Sequence, residues 1–248
     1  GEAVKGFKAG DRVVVMPALG CRQRGIYPPC RMCARGQFHL CENWTEGKLA
    51  AGMFVGNTAG VPGFISEMGV AHADQLYKVP DNVSDESAVL TEPFCTALHM
   101  VLGNRVEAGE TVMVIGQGVM GQCTKAARKA LYPEVRILGV EVDPYHSEVA
   151  RSMGVEEVIK PGGKQFYKRA AELTGAKMYT PRKAEPILNG GVDRVFDAVG
   201  STETVNMSLR ILRNQGTYNM LGISPVGKVD WTPVWLKELT LRGIYAYA

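Results

Sequence analysis

The chain has 248 residues, 46% of them hydrophobic and 21% charged, with a formal net charge of +3. That length suits one large domain or two smaller ones, and the near-neutral balance gives no case for nucleic acid or an anionic membrane as partner. No run approaches the ~18 apolar residues of a membrane span and no apolar signal region follows the N-terminus, so the expected compartment is cytoplasmic.

In chain order, residues 1–80 are rich in Gly, Pro and β-branched residues. Val13-Val14-Val15-Met16 follows a Lys8–Asp11 turn and reads as a strand. Residues 69–71 and 75–79 read as further short strands, closed by Pro80-Asp81-Asn82. Four of the six cysteines fall between positions 21 and 41, as a lobe inserted in this β-rich unit. Ser84 is a good helix N-cap, with Asp85 and Glu86 complementing the dipole in the first turn. Pro93 is expected to interrupt that helix, and a second one, Ala97 to Leu102, to lead into a Gly103–Gly109 turn.

Thr111–Ile115 reads as a buried strand running into Gly116-Gln117-Gly118-Val119-Met120-Gly121 and then a helix-forming stretch. A second apolar run, Ile137–Val140, ends on Glu141, 20 residues past the last glycine. A lone GxGxxG is weak, because glycines punctuate many turns. With a strand before it, a helix after it and an acid at this distance, it is the dinucleotide-binding fingerprint. Gly116 allows the sharp turn, Gly118 lets a pyrophosphate approach the backbone, and Gly121 lets helix and strand pack closely. The helix N-terminus suits a phosphate. Glu141 can accept hydrogen bonds from both adenosine ribose hydroxyls and would repel a 2′-phosphate. Val142-Asp143-Pro144 supplies no arginine to hold one, so the expected cofactor is NAD.

Beyond residue 111, strand candidates at 111–115, 136–141, 156–159, 193–198, 216–221 and 239–245 alternate with helices near 118–131, 144–153, 164–174 and 201–212. The fold class is α/β, a doubly wound parallel sheet. Residues 175–191 fit neither period and read as an irregular surface insertion. The expected domains are 1–95 and 96–248.

Cys30, Cys33 and Cys41 follow one another closely, and Cys21 lies nine positions before Cys30. Four thiolates can close a tetrahedral zinc site with no open position for chemistry, so the functional reading is a structural zinc. The alternative is four free or disulfide-linked cysteines in a flexible lobe. Cys21 is the least usual member, because first and second ligands are commonly joined by a shorter turn. Cys95 and Cys123 read as small buried apolar residues, and His39, His72, His99 and His146 as packed or surface side chains rather than ligands.

A four-cysteine lobe ahead of a complete NAD domain resembles the zinc-containing medium-chain dehydrogenase/reductase family, which includes alcohol, sorbitol and threonine dehydrogenases. The matching stretches are Phe7–Val13, the Cys30/Cys33/Cys41 spacing, Glu92-Pro93-Phe94, Gly116–Gly121, Asp193–Gly200 and Leu221-Gly222. The resemblance implies a GroES-like catalytic domain beside a Rossmann domain, and hydride transfer between an alcohol or polyol and NAD. A catalytic zinc would bind the alcohol oxygen in the full-length protein, with Glu92 at a zinc-ligand position; without the family, Glu92 reads equally as a helix-terminal carboxylate. Gly116, Gly118, Val119, Met120, Gly121 and Glu141 would hold the cofactor, with Val199 and Leu221 on its nicotinamide side. The family's other catalytic-zinc residues lie upstream of the Phe7–Val13 match, and its chain returns to the catalytic domain after the sixth strand. The chain therefore reads as the middle of a dehydrogenase. Its sixth strand would pair across a two-fold axis in a homodimer or homotetramer. Two competing readings are a zinc-free quinone-type reductase of the same superfamily and a catalytically inactive NAD-binding fragment.

Overall fold

In the computed structural model, which describes residues 4–223 and 226–247, the chain separates into two units. One comprises the residues up to Cys95 with the segment from Ala246; the other is Thr96–Tyr245. In the first, β1 (Val13–Val15) pairs antiparallel with β2 (Leu76–Lys78), Val14 opposite Tyr77. The lobe between them contains one four-residue helix, α1 (Arg31–Ala34). So little regular structure leaves many carbonyls needing donors. Arg24, fully buried, supplies them: its guanidinium donates to the carbonyls of Leu19 (3.3 Å), Glu46 (3.0 Å), Leu49 (3.3 Å), Ala50 (3.1 Å) and Gly52.

Two expectations for this unit are corrected. Residues 69–71 form no strand: this short segment has no partner to complete a ladder, and Val70 is exposed. His72 opens a 3-10 turn, its Nδ1 accepting from the Asp74 N–H at 3.2 Å. After α2 (Asp85–Ala88), capped by the Ser84 hydroxyl, the chain breaks at Val89-Leu90 and not at Pro93. Pro93 sits in the first turn of α3 (Thr91–Gly103), where an N–H has no intrahelical acceptor to lose, so the helix runs unbroken through residues 97–102.

The second unit alternates strand and helix: β3 (Thr111–Ile115), α4 (Val119–Leu131), β4 (Arg136–Val140), α5 (Pro144–Ser152), β5 (Glu157–Ile159) and α6 (Gly163–Thr174). Then come β6 (Lys177–Tyr179) and β7 (Ile187–Asn189), β8 (Val192–Asp197), α7 (Thr202–Ile211), β9 (Leu212–Met220), α8 (Thr232–Leu236) and β10 (Thr240–Gly243). Six strands form one parallel sheet in the order β10-β9-β8-β3-β4-β5, the Rossmann arrangement. Along β3, Val112 and Val114 enter one apolar cluster while Met113 and Ile115 enter the other, so the strand is buried on both faces. Residues 175–191 are not irregular throughout, because β6 and β7 pair antiparallel and Leu188 is buried in the main core. Two short strands and an exposed turn present too few apolar positions for periodicity to reveal them. The sixth strand is shorter than expected, 240–243, and forms one sheet edge.

The inner face of α4 breaks the pattern. Lys125 and Arg128 are buried there, and among the described residues neither Lys125 Nζ nor the Arg128 nitrogens have a hydrogen-bond partner. Arg128 stacks on Tyr132 at 5.0 Å. Burial lowers the Lys125 ammonium to about 8, with Glu141 opposing the shift. An unfolded lysine keeps its proton up to about 10.4. Below about pH 8 the fold therefore carries the full penalty of the buried charge, and that penalty fades as pH rises from about 8 to 10.4. We expect Lys125→Met to raise unfolding stability at pH 7 by roughly 3 kcal/mol, with the gain shrinking toward pH 10. Urea titrations at several pH values check this; no gain at pH 7, or one independent of pH, would refute it.

Candidate functional site

At the carboxyl end of β3 the chain turns through Gly116, whose φ of 80° belongs to the left-handed region that favours glycine. Gly121, on the first turns of α4, packs directly on this turn: a Cβ there would lie 1.9 Å from the Gly116 carbonyl oxygen. A Cβ at Gly118 would meet nothing within 4 Å, and Gly118, the N-cap of α4, offers no side chain to cover the first-turn N–H groups. The space beside those groups is open, as the approach of a pyrophosphate requires. Val119 is exposed and Met120 half-buried at this opening.

Glu141, immediately after β4, reaches back to this turn. Its Oε2 accepts from the Gln117 N–H at 2.6 Å, and its Oε1 from the N–H groups of Val142 (2.7 Å) and Asp143 (3.0 Å). Burial pushes the carboxyl up, but the Asp143, Gln117 and Val142 N–H groups and nearby His146 outweigh it and hold the group below its ordinary value. A carboxylate has about four acceptor positions; three are used. His146 Nδ1 stands 4.0 Å from Glu141 and 3.7 Å from Asp143. The Gln117 side chain, fully buried, fastens the turn from beneath through the Val114 carbonyl at 2.6 Å.

The ends of β8 and β9 meet the same turn. Val199, half-exposed, lies so near Gly116 that a Cβ there would sit 2.6 Å from its Cγ2, and a Cβ at Gly222 would sit 2.2 Å from the Val199 carbonyl carbon. Gly116–Gly121, Val199 and Leu221 are thus gathered at the carboxyl ends of adjacent strands. Asp197 and Tyr218, given no role from sequence, join them from below: Asp197 Oδ2 accepts from the Tyr218 hydroxyl at 2.9 Å. Only the paired register of β8 and β9 reveals that contact.

In the other unit, Cys21, Cys30, Cys33 and Cys41 present sulfurs within 4.8 Å of one another. Cys21 and Cys41 Sγ are 3.7 Å apart, against about 3.8 Å for the edge of a tetrahedron with zinc–sulfur bonds of about 2.3 Å. N–H groups aim at the sulfurs: Glu42 N at Cys30 (3.4 Å), Cys30 N and Asn43 Nδ2 at Cys21 (3.2 and 3.3 Å), Cys21 N at Cys33 (3.4 Å). Burial raises the Cys30 thiol, but N–H donors from Cys33 and Glu42 outweigh it and bring it to about 6. Burial pushes Cys33 and Cys41 up. Four anions cannot coexist there alone, whereas a divalent cation makes the tetrathiolate stable, so the residues fit zinc. His39 is buried in this lobe but is not part of the sulfur group.

Glu92 stands apart, on the first turn of α3, its carboxyl raised by burial. Among the described residues the four cysteines are the one group of three or more His, Cys, Asp or Glu side chains close enough to share a metal, and Glu92 is outside it. Cys123 is buried as expected, while Cys95 is only partly so.

The two units define a Rossmann α/β fold accompanied by a GroES-like β unit with a thiol lobe. The sequence matches the zinc-binding dehydrogenase family over residues 119–248 and the alcohol dehydrogenase GroES-like domain over residues 1–81. The chain belongs to the zinc-binding dehydrogenase family, the zinc-containing medium-chain dehydrogenases/reductases. It is 31% identical to L-threonine 3-dehydrogenase of Salmonella paratyphi B over 246 residues, 99% of this chain and 63% of that one. The crystal structure of 2R,3R-butanediol dehydrogenase from Bacillus subtilis matches with a TM-score of 0.74 at 26% identity, over 100% of this chain and 62% of that one. An alcohol dehydrogenase from Escherichia coli complexed with NADH shares the fold with a TM-score of 0.77 at 21% identity, over 100% and 65% of the two chains. The chain thus spans 63% of the length of the curated relative described here.

Because a methyl group at position 121 would overlap the Gly116 carbonyl, Gly121→Ala is expected to destabilise the second unit by roughly 2 kcal/mol or more. Thermal unfolding checks this, and an unchanged midpoint would contradict the packing described.

Proposed function

We propose that the chain serves an NAD-dependent oxidoreductase that passes hydride between an alcohol or polyol and NAD. The observation that carries the cofactor reading is the Glu141 carboxylate, held beside the glycine turn with an acceptor position to spare. Ribose hydroxyls donate to such a group; a 2′-phosphate would set a second anion against it. In this reading the backbone of Gly116, Gly118, Val119, Met120 and Gly121 receives the pyrophosphate, and Val199 and Leu221 border the nicotinamide. The substrate class is supported by the relatives' names, which denote dehydrogenases of a hydroxylated amino acid and a diol.

The four thiolates would hold a structural zinc, which cross-links the lobe and leaves no coordination position for substrate. That speaks against a zinc-free quinone-type reductase. A catalytic zinc in the whole protein would supply Lewis acidity to an alcohol oxygen, with Glu92 among its candidate ligands. Glu92 contributes a carboxyl that burial pushes up, and a bound cation would oppose that shift by favouring the charged form. A second reading, cofactor binding without turnover by these 248 residues, is favoured by Glu92 lying outside any group of three potential ligands among the described residues. A cytoplasmic location and pairing of β10 edges in a dimer or tetramer belong to the same proposal. No helix among the described residues is long and apolar enough to cross a membrane.

Fluorescence titration should show NADH bound more tightly than NADPH by about tenfold or more. No NADH binding, or equal binding of NADPH, would overturn the assignment. Metal analysis should find one zinc per chain, lost in Cys33→Ser; a metal-free native protein would return the quinone-type reading. An alcohol panel assayed on this chain separates the dehydrogenase from the binding-only reading.

A further inference from the structure

We propose that Asp197 and Tyr218 are positioning residues that hold the seat of the nicotinamide half of the cofactor. This deepens the NAD reading above and rests on it. Asp197 ends β8, is fully buried, and uses both carboxylate oxygens: Oδ1 accepts from the N–H groups of Val199 and Gly200, each at 2.9 Å, and Oδ2 from the Tyr218 hydroxyl at 2.9 Å. Its backbone carbonyl accepts from the N–H groups of Leu221 (2.9 Å) and Gly222 (3.0 Å). The next residue, Ala198, donates its N–H to the Ile115 carbonyl at 2.9 Å. Two consecutive residues therefore tie together the ends of β3, β8 and β9, and the segments so tied carry Val199 and Leu221.

Tyr218 is the one side chain in this arrangement that comes from a different strand. Burial, and then the Asp197 charge, push its hydroxyl well above the ordinary tyrosine value, so it remains a donor at any physiological pH. Without it, Oδ2 would be a buried anionic oxygen lacking its donor, and the carboxylate would gain by turning toward water or toward the Val199 amide alone. Either movement shifts Val199, which packs on Gly116. Glu141 and its three N–H bonds at the far side of β3 share no hydrogen bond with this arrangement. The expected consequence is selective: the nicotinamide end loosens while the adenosine end keeps its geometry.

The test compares NADH with 5′-AMP, which reports the adenosine end alone, on the full chain. Tyr218→Phe should weaken NADH binding by about tenfold while 5′-AMP affinity stays within about twofold. Asp197→Asn can still accept from Val199 and Gly200 and donate to the tyrosine oxygen, so it should hold NADH better than Asp197→Ala. If Tyr218→Phe binds NADH as the parent does, or loses NADH and 5′-AMP in parallel, the positioning role is wrong. Should Tyr218→Phe not fold, the order of the two Asp197 variants decides alone, and equal NADH affinity in both overturns the proposal. Failure of the parent chain to bind either ligand refutes the cofactor reading itself.

Discussion

The arrangement at the carboxyl ends of the sheet depends on backbones that touch. Gly121 lies where any side chain would enter the Gly116 carbonyl, and Gly222 where one would enter the Val199 backbone. Those contacts bring the N-terminus of α4 and the turns after β8 and β9 to one edge. Two carboxylates, the partly buried Glu141 and the fully buried Asp197, then fix the turns. Glu141 accepts from the two N–H groups that follow it and from Gln117 across the gap. Asp197 accepts from two N–H groups that follow it and from Tyr218 on the neighbouring strand. The same device thus flanks β3 on both sides. A carboxylate with three neutral donors tolerates burial without a cation, because each donor offsets part of the lost hydration. The result is rigid backbone at the place where a phosphate and a ring would have to be received.

The lobe meets the opposite problem. It has almost no regular structure, so its order comes from side chains. Arg24 satisfies five carbonyls that no helix or strand provides for, and four sulfurs converge close by. The thiols differ sharply: N–H donors hold Cys30 down while burial holds Cys33 and Cys41 up. Such a group is incomplete as an all-protein core. It is neither apolar enough to be left protonated without cost nor able to ionise without a cation. A buried arginine and a metal-ready sulfur group are what a segment of this size can use in place of a hydrophobic core.

One helix runs against this economy. The inner face of α4 carries Lys125 and Arg128, both buried, and the Tyr132 ring beside Arg128 and the Glu141 charge acting on Lys125 offset only part of the cost of burying them. Local and global preferences agree along most of the second unit. This face departs from that agreement, and a stability deficit is its consequence.

The sequence by itself determined the order of the six sheet strands and of α4 to α7 beyond residue 111, the glycine turn and its acid, and the four sulfurs as one group. Each follows from a local rule: a period, a turn that only glycine permits, or a residue type restricted in its chemistry. The β6–β7 hairpin, the unbroken course of α3 through Pro93, and the irregular backbone at 69–71 were not legible, because a short segment becomes strand or helix only when a neighbour completes its hydrogen bonds. Nor was it legible that Glu141 would grip Gln117, that Arg24 would order the lobe, or that Asp197 would find Tyr218. Those pairings join residues up to 28 positions apart, and their geometry exists only once strand register and loop course are set. Tertiary structure also decided the fate of Lys125: on an isolated helix its charge is solvated, and only packing against the sheet removes the water.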